Sequence, residues 1–126
     1  MEKQVIKADV PETAGPFNMC VRYGDMFFIS GLPPFDPQSG EIKPVVFEEQ
    51  CERVLAQLKQ CLEAAGSSLA QVIKCNVYCV PGPDRFSVFN AAYDRYFPKD
   101  APSRIFMFIH SWPGPFDIEM DCVAAV

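Results

Sequence analysis

Twelve prolines constrain this chain more than any other feature, because they fall in groups that separate segments almost free of proline. Proline cannot donate a backbone hydrogen bond and it interrupts helices and central strands, so regular elements fit only between the groups. The groups lie at residues 11–16, 33–44, 81–83, 98–102 and 113–115. The chain has 126 residues and no repeat, low-complexity tract or linker, so it predicts a single domain over 1–126 that is built from short elements.

Short apolar runs predict the strands of the first half. Residues 20–23 and 26–30 flank the pair Gly24-Asp25 and predict a β-hairpin, and one further strand fits at 4–7. The stretch from Gly31 to Pro44 is predicted to be a loop, since it is rich in proline and other turn residues.

Three more strands are predicted in the second half. Residues 72–80 alternate between apolar and polar side chains, which places one set on the core face. That set is Ile73, Cys75, Val77 and Cys79. The run 105–109 is apolar throughout and predicts a central strand that is covered on both faces. Residues 118–124 alternate again, with Glu119 and Asp121 on the face away from the core.

Two segments have helical periodicity. The first runs from Phe47 to Ala65, with Gly66 suited to the position after its end, and Gly82-Pro83 opens the second. The apolar stripe of the second helix comprises Phe86, Phe89, Tyr93, Tyr96 and Phe97. The order β-β-α-β-α-β-β predicts an α+β fold, in which two helices pack on one face of a mixed β-sheet. The mixed character of the other face favours contact with a ligand or another subunit over contact with bulk water.

Composition excludes several classes of protein. Hydrophobic residues make up 49% of the chain, which is enough for a core and too much for a disordered chain. Eleven basic and sixteen acidic residues give a net charge of −5, which offers no electrostatic footprint for nucleic acid or anionic lipid. No apolar run is long enough to span a membrane and no export signal is recognisable, so a cytoplasmic protein is predicted.

The six cysteines are predicted to be buried free thiols rather than disulfides or metal ligands. Most of them fall on apolar faces, no CxxC pair occurs, and the composition supplies a core without covalent crosslinks. His110 is the single histidine, and no Cys/His cluster has the spacing of a zinc site. No metal site is therefore predicted.

Arg104 is the most informative candidate for ligand binding, because it directly precedes the most apolar run. A buried guanidinium is costly unless an anion meets it, and its planar fork matches a carboxylate. Two other interpretations stay open: a guanidinium that reaches solvent, or a structural pair with Glu119 or Asp121. Those two carboxylates share one face of the last strand, where apolar neighbours would raise a carboxyl pKa and suit it to acid–base chemistry.

Three other features are weaker. Gly31 after Ser30 suits either a plain turn or a close approach of the backbone to a ligand. His110 beside Ser111 lacks any supporting hydrolase motif, so nucleophilic catalysis is not predicted. Trp112, in a proline-rich loop, fits a loop anchor and a pocket wall equally well.

Eight short motifs occur in order along nearly the whole chain. They are Ala14-Gly15-Pro16-Phe17, Phe28-Ile29-Ser30-Gly31, Asp36-Pro37-Gln38-Ser39-Gly40-Glu41, Leu62-Glu63-Ala64-Ala65-Gly66-Ser67-Ser68-Leu69, Val77-Tyr78, Phe89-Asn90-Ala91-Ala92-Tyr93, Pro102-Ser103-Arg104 and Ile118-Glu119-Met120-Asp121. Together they resemble the Rid/YjgF family of reactive-intermediate deaminases.

The resemblance implies a chorismate-mutase-like α+β subunit that assembles into a homotrimer, with ligand clefts between the subunits. It implies hydrolysis of reactive 2-imino or enamine acids to 2-keto acids and ammonia, with no cofactor. The partners that it implies are a small carboxylate substrate and further copies of the chain, with neither nucleic acid nor a membrane.

The resemblance also assigns roles to individual residues. Arg104 matches the arginine that binds the substrate carboxylate, and Glu119 matches the glutamate that holds or activates the attacking water. Ser30 and Gly31 match catalytic residues that line the cleft with backbone groups near the substrate, and Phe86 and Asn90 match substrate-binding residues of the second helix. An imine is already electrophilic, so positioning and modest acid–base help suffice.

Three residues depart from the family pattern and reshape the predicted cleft. Phe17 stands where relatives often have tyrosine, and Phe106 stands where they often have cysteine. Trp112 makes the last loop bulkier than the short turn that is usual in the family. All three are predicted to line the substrate site, which favours a larger or aromatic substrate, or a weak general deaminase.

Three alternatives stay open. A trimer could bind a small carboxylate without catalysis, or the chain could hydrolyse an unsaturated or aromatic amino acid in a catabolic pathway. Ribonuclease activity, which has been attributed to some relatives, is disfavoured by the acidic charge and by the lack of a basic, aromatic surface.

Overall fold

The computed structural model describes residues 2–7 and 10–126, which form a six-stranded mixed sheet and two α-helices. The elements are β1 (Gln4–Ile6), β2 (Cys20–Tyr23), β3 (Met26–Leu32), α1 (Phe47–Ala64), a short 3-10 helix (Leu69–Gln71), β4 (Val72–Cys79), α2 (Arg85–Tyr96), β5 (Ser103–Phe108) and β6 (Ile118–Ala125). The order across the sheet is β1-β2-β3-β6-β4-β5, with β4 and β5 parallel and the other neighbours antiparallel. The predicted α+β fold is confirmed.

The core lies between the sheet and the two helices. Leu55 and Leu58 of α1 are fully buried in one cluster with Phe89 of α2 and with Ile118 and Met120 of β6. Burying a side chain of this size contributes about 1.5–3 kcal/mol, so these layers supply most of the stability. Burial alternates strictly along β6, as predicted for 118–124, and the other face of that strand is only partly covered.

The predicted hairpin and first helix are confirmed. The strands β2 and β3 pair on either side of Gly24, and α1 begins at Phe47 and is followed by Gly66 at a φ of +89°, where glycine is favoured. The predicted start of the loop at Gly31 is wrong. The strand β3 continues to Leu32, because a bulge lets Leu32 pair with Met120 of β6.

The prediction that the cysteines are free thiols is also confirmed, since all six are buried and unpaired by disulfides. Burial raises the pKa of the Cys51 thiol to about 12 and that of the Cys61 thiol to about 11. Thiols in this state remain protonated and act as small apolar side chains of the core.

The prediction that the run 105–109 forms a central strand is wrong. The strand β5 lies at the edge of the sheet beside β4 alone, and Ile105, Met107 and Phe108 are 47%, 49% and 51% exposed. A run of apolar residues indicates that a strand avoids water, but it does not say what covers the strand. The chain itself leaves this surface open, so its sequence points to cover from outside the subunit.

Two smaller predictions are corrected by local backbone geometry. A register shift at the start of β4 buries Val72 and exposes Ile73, which was expected on the core face. The helix α2 begins at Arg85 after Asp84 at a φ of +54°, so Pro83 precedes the helix instead of opening it. Because Phe86 then lies in the first turn, its ring is 49% exposed rather than part of the core stripe.

The helices of the described residues include none that is both long and apolar enough to cross a membrane.

Candidate functional site

Arg104 lies on the helix side of the edge strand β5. It pairs in register with Cys75, which is buried, and this places the guanidinium under α2. The guanidinium carbon is 4.7 Å from the ring centre of Tyr93, and three phenylalanine ring centres lie between 5.7 and 5.9 Å away. These three rings belong to Phe86, Phe89 and Phe106. Such distances give favourable cation–π contacts, so aromatic rings hold the cation in place.

The helical spacing of α2 explains how these side chains reach one place. Residues 89, 90 and 93 each follow Phe86 or Phe89 by three or four positions, and they therefore share one face of the helix. Asn90 on this face has its amide oxygen buried without a hydrogen-bond partner, and the buried hydroxyl of Tyr93 has only the Cys75 thiol beside it. The helix face that carries the rings around Arg104 thus holds an unsatisfied amide oxygen and a weakly bonded hydroxyl.

Arg104 forms no salt bridge with any of the residues that the structure describes. The structural pair with Glu119 or Asp121 that the sequence left open is therefore wrong. Both carboxylates lie on the opposite face of the sheet, because β6 buries Ile118 and Met120 on the helix side. Among the described residues, the planar fork of Arg104 therefore meets no carboxylate.

Glu119 lies directly against Gly31 on the outer face of the sheet. A side chain at position 31 would overlap its carboxylate, so this close approach requires glycine. Burial raises the pKa of Glu119 to about 7, and the neighbouring charge of Asp121 adds to the effect. The carboxyl group therefore exchanges a proton near neutral pH, as a general acid or base must.

Aromatic side chains flank Glu119. Tyr78 pairs with it across β4 and β6, and Trp112 meets the Tyr78 ring edge to face at 6.3 Å and stacks on Phe116 at 5.5 Å. Burial, with the charges of Asp121 and Glu119, raises the pKa of the Tyr78 hydroxyl. Trp112 thus packs both on the neighbour of Glu119 and within its own loop, as a loop anchor does, and its role as a pocket wall stays a prediction.

Ser30 and Phe17 make their described contacts with residues other than Arg104 and Glu119. The Ser30 hydroxyl donates to the Asn18 carbonyl at 2.7 Å and its amide donates to the Met19 carbonyl at 2.8 Å, so both polar donors are used within the chain. The Phe17 ring is half exposed in the segment before β2, packed against Gly15. Ser30 holds the bulge that presents Gly31, and Phe17 contacts neither Arg104 nor Glu119 through any described interaction.

The site residues therefore form two groups on opposite faces of the sheet. The arginine group comprises Phe86, Phe89, Asn90, Tyr93, Arg104 and Phe106. The glutamate group comprises Gly31, Tyr78, Trp112, Glu119 and Asp121. Within one chain the sheet separates the two groups, so Arg104 and Glu119 do not meet.

Sequence reasoning missed Tyr93 and Phe89 as site residues, because both belong to an apolar helical stripe that looks like ordinary core. It also missed Tyr78 as the neighbour of Glu119. The signal for Tyr93 lies in its spacing from Phe86 and Asn90, but that signal becomes useful only when α2 is known to lie over β5. Among the described residues, no cluster of three or more His, Cys, Asp and Glu side chains is placed to hold a metal ion.

The sequence pattern of the endoribonuclease L-PSP family, which is the Rid/YjgF family, matches residues 7–126. A solved structure from Thermotoga maritima is 37% identical, covers 100% of this chain and 98% of its own, and has a TM-score of 0.90. Reactive Intermediate Deaminase A, a chloroplastic protein of Arabidopsis thaliana, is 27% identical over an alignment of 127 positions that covers 100% of this chain and 67% of that protein. The E. coli protein TdcF, solved with bound serine, is 29% identical over 98% of each chain, with a TM-score of 0.88.

Proposed function

The chain belongs to the Rid/YjgF (endoribonuclease L-PSP) family, and from this premise we propose that it hydrolyses reactive 2-imino or enamine acids to 2-keto acids and ammonia. The observation that carries the proposal is the state of Arg104, which is held on four aromatic rings without any salt bridge among the described residues. The names of the Arabidopsis deaminase and of the serine-bound E. coli protein are consistent with a small carboxylate ligand. Six reduced thiols suit a cytoplasmic location.

Arg104 binds the substrate carboxylate in this proposal. A guanidinium presents two parallel N–H donors that match the two oxygens of a carboxylate, and the surrounding rings keep water away from the pair. The carboxylate of a 2-imino acid is attached directly to the electrophilic carbon. Fixing the carboxylate therefore also fixes the carbon that water must attack.

Glu119 acts as the base and then as the acid. As a carboxylate it accepts a proton from water while the water oxygen forms a bond to the carbon of the protonated imine and the C=N pair moves to nitrogen, which gives a neutral carbinolamine. The same carboxyl group then returns the proton to nitrogen. As the C–N bond breaks and its electron pair leaves with ammonia, the carbinolamine hydroxyl gives its proton to the Glu119 carboxylate and the carbonyl of the 2-keto acid forms. A pKa of about 7 suits a group that must take up and release the same proton at neutral pH.

The two groups meet only between different copies of the chain in this proposal. The outer face of the sheet is partly apolar, with Phe28, Ile105 and Met107 each nearly half exposed, and such a patch favours self-association. We propose that three sheets pack through this face in a homotrimer. Each cleft then combines Arg104 of one copy with Gly31 and Glu119 of its neighbour.

A trimer that binds carboxylates without catalysis is the second candidate. It is favoured by Phe17, which brings no hydroxyl to the cleft, and by Ser30, whose donors are used within the chain. The two candidates share Arg104 and differ only in whether Glu119 activates water.

The test is a coupled assay in which serine or threonine dehydratase generates the imine and its disappearance is followed. We expect hydrolysis well above the spontaneous rate with the wild type and near-complete loss with Arg104→Ala. Arg95→Ala is the matched control, since it removes an arginine on the exposed side of α2 that pairs with Glu52. If a folded wild-type protein hydrolyses the imine no faster than the spontaneous rate but binds pyruvate in calorimetry, the carboxylate-binding trimer replaces the deaminase as the proposed function.

A further inference from the structure

The surroundings of Arg104 contain more apolar surface than a carboxylate anchor needs. Phe86 and Phe106 meet edge to face at 5.1 Å, and Phe106 meets Phe108 in the same way at 5.5 Å. Phe86 and Phe108 are each about half exposed. The rings form a continuous aromatic corner that begins at the guanidinium and runs along the edge strand toward the surface.

We infer from this corner that the preferred substrates are 2-imino acids with an apolar side chain larger than methyl, and that Phe86 and Phe106 select them. The inference rests on the proposed function and names the substrate class of the same site. In a 2-imino acid the side chain and the carboxylate are both attached to the imine carbon. A side chain therefore begins close to the guanidinium, within reach of rings whose centres are 5.7 and 5.8 Å from it.

Removing exposed ring surface from water provides the selectivity. Each methylene that the substrate buries strengthens binding about fourfold, so an isobutyl or benzyl side chain gains substantially over methyl. Aromatic side chains also find rings already arranged edge to face, which is a favoured geometry for a further ring.

Charge disfavours acidic side chains of similar size. Arg85 at the start of α2 is engaged with Asp117 at 3.2 Å and with the Val80 carbonyl, and it stacks over Phe47. Arg95, the other arginine of α2, pairs with Glu52. This helix therefore offers no free guanidinium for the second carboxylate of a dicarboxylate, and in the proposed cleft Glu119 and Asp121 of the opposing group repel one. The site thus favours apolar side chains over acidic ones.

The experiment measures how fast the purified protein hydrolyses three imines, those of alanine, leucine and phenylalanine. An amino-acid oxidase generates each imine, and semicarbazide competes with the protein for it. Binding of the stable products pyruvate, 2-oxo-4-methylpentanoate, phenylpyruvate and 2-oxoglutarate is measured by calorimetry. The variants are Phe86→Ala and Phe106→Cys, with Tyr23→Ala as the matched control because Tyr23 is an equally exposed aromatic residue on β2. Light scattering checks that each variant keeps the oligomeric state of the wild type.

We expect kcat/KM to be at least about tenfold higher for the leucine and phenylalanine imines than for the alanine imine. Phe86→Ala and Phe106→Cys should reduce that ratio severalfold, while Tyr23→Ala leaves it unchanged. Equal efficiencies, a preference for the alanine imine, or a ratio that survives both variants would overturn the inference and leave the deaminase standing. If no imine is hydrolysed, tighter binding of 2-oxo-4-methylpentanoate and phenylpyruvate than of pyruvate supports the apolar corner without the deaminase. Equal affinities for these keto acids refute the apolar corner.

Discussion

The arginine group and the glutamate group differ in almost every physical respect. The arginine group is an aromatic platform for a cation at the edge of the sheet, while the glutamate group places two carboxylates on the outer face, one of them with a raised pKa. An arginine guanidinium stays charged throughout the physiological pH range, and a carboxyl group with a pKa near 7 does not. In the proposed function, one group recognises the ligand and the other moves the proton. Changes to the two groups should therefore have separable consequences.

The largest expected effect is that of Glu119→Gln, which keeps the size of the side chain and removes the base. We expect kcat to fall about 1000-fold, since general acid–base catalysis of this kind contributes about 10²–10⁴. Calorimetric binding of a keto acid should change little because Arg104 is intact. A fall in binding that matches the fall in kcat would show that ligand recognition and proton transfer do not belong to separate groups.

The same variant tests the pH dependence of stability. The pKa of Glu119 in the folded chain, about 7, lies above the ordinary 4.5, so the folded state binds the proton more tightly than the unfolded chain. This contribution is fully present below pH 4.5 and is lost as the pH rises through 7. The shift would amount to about 3 kcal/mol for a fully buried carboxyl, and the partial exposure of Glu119 to solvent reduces it to about 2 kcal/mol. Urea unfolding between pH 4 and 8 should show this slope in the wild type, and Glu119→Gln should flatten it.

Gly31→Ala is expected to have the next largest effect. The new methyl group overlaps the Glu119 carboxylate and must displace it, so kcat should fall about 100-fold while KM stays nearly constant. Gly66→Ala is the matched control. It places alanine at a φ of +89° and should cost about 1 kcal/mol of stability without lowering kcat. An unchanged kcat in Gly31→Ala would remove Glu119 from the mechanism.

Tyr93→Leu probes the platform on the other side of the sheet. The ring centre of Tyr93 lies 4.7 Å from the guanidinium carbon, closer than any other ring in contact with it. Losing the ring should let the cation move and raise KM about tenfold, with a smaller change in kcat. Tyr93→Phe keeps the ring and should restore KM, because the hydroxyl contacts only the weakly bonding Cys75 thiol. A defect of equal size in both variants would assign the effect to the hydroxyl instead.

The smallest effect is expected for Ser30→Ala. The Ser30 hydroxyl is bonded to the Asn18 carbonyl, so its loss should lower the free energy of unfolding by about 1 kcal/mol and leave kcat/KM within a factor of two. A large loss of activity at unchanged stability would return Ser30 to the catalytic residues that the family resemblance suggested.

The sequence predicted those elements whose burial is decided within the chain. The stripe of α1, the hairpin and the alternation of β6 are periodic because one face of each meets the core. The edge position of β5 was missed because Ile105 and Met107 are apolar for a reason that lies outside the chain fold. Arg104 was found from its position and from family resemblance. Its separation from Glu119 follows from the register of β4 with β5 and β6, which periodicity alone does not determine.

The central claim is that each working site joins the arginine group of one copy to the glutamate group of another. The direct measurement is the activity of mixed oligomers made by co-expressing Arg104→Ala and Glu119→Gln chains with different affinity tags. Each variant alone should be almost inactive. Random mixing should restore about a quarter of the wild-type activity, because that share of the clefts pairs an intact Arg104 with an intact Glu119. Mixed oligomers that stay as inactive as either parent would contradict the claim and place both residues of each site on a single chain.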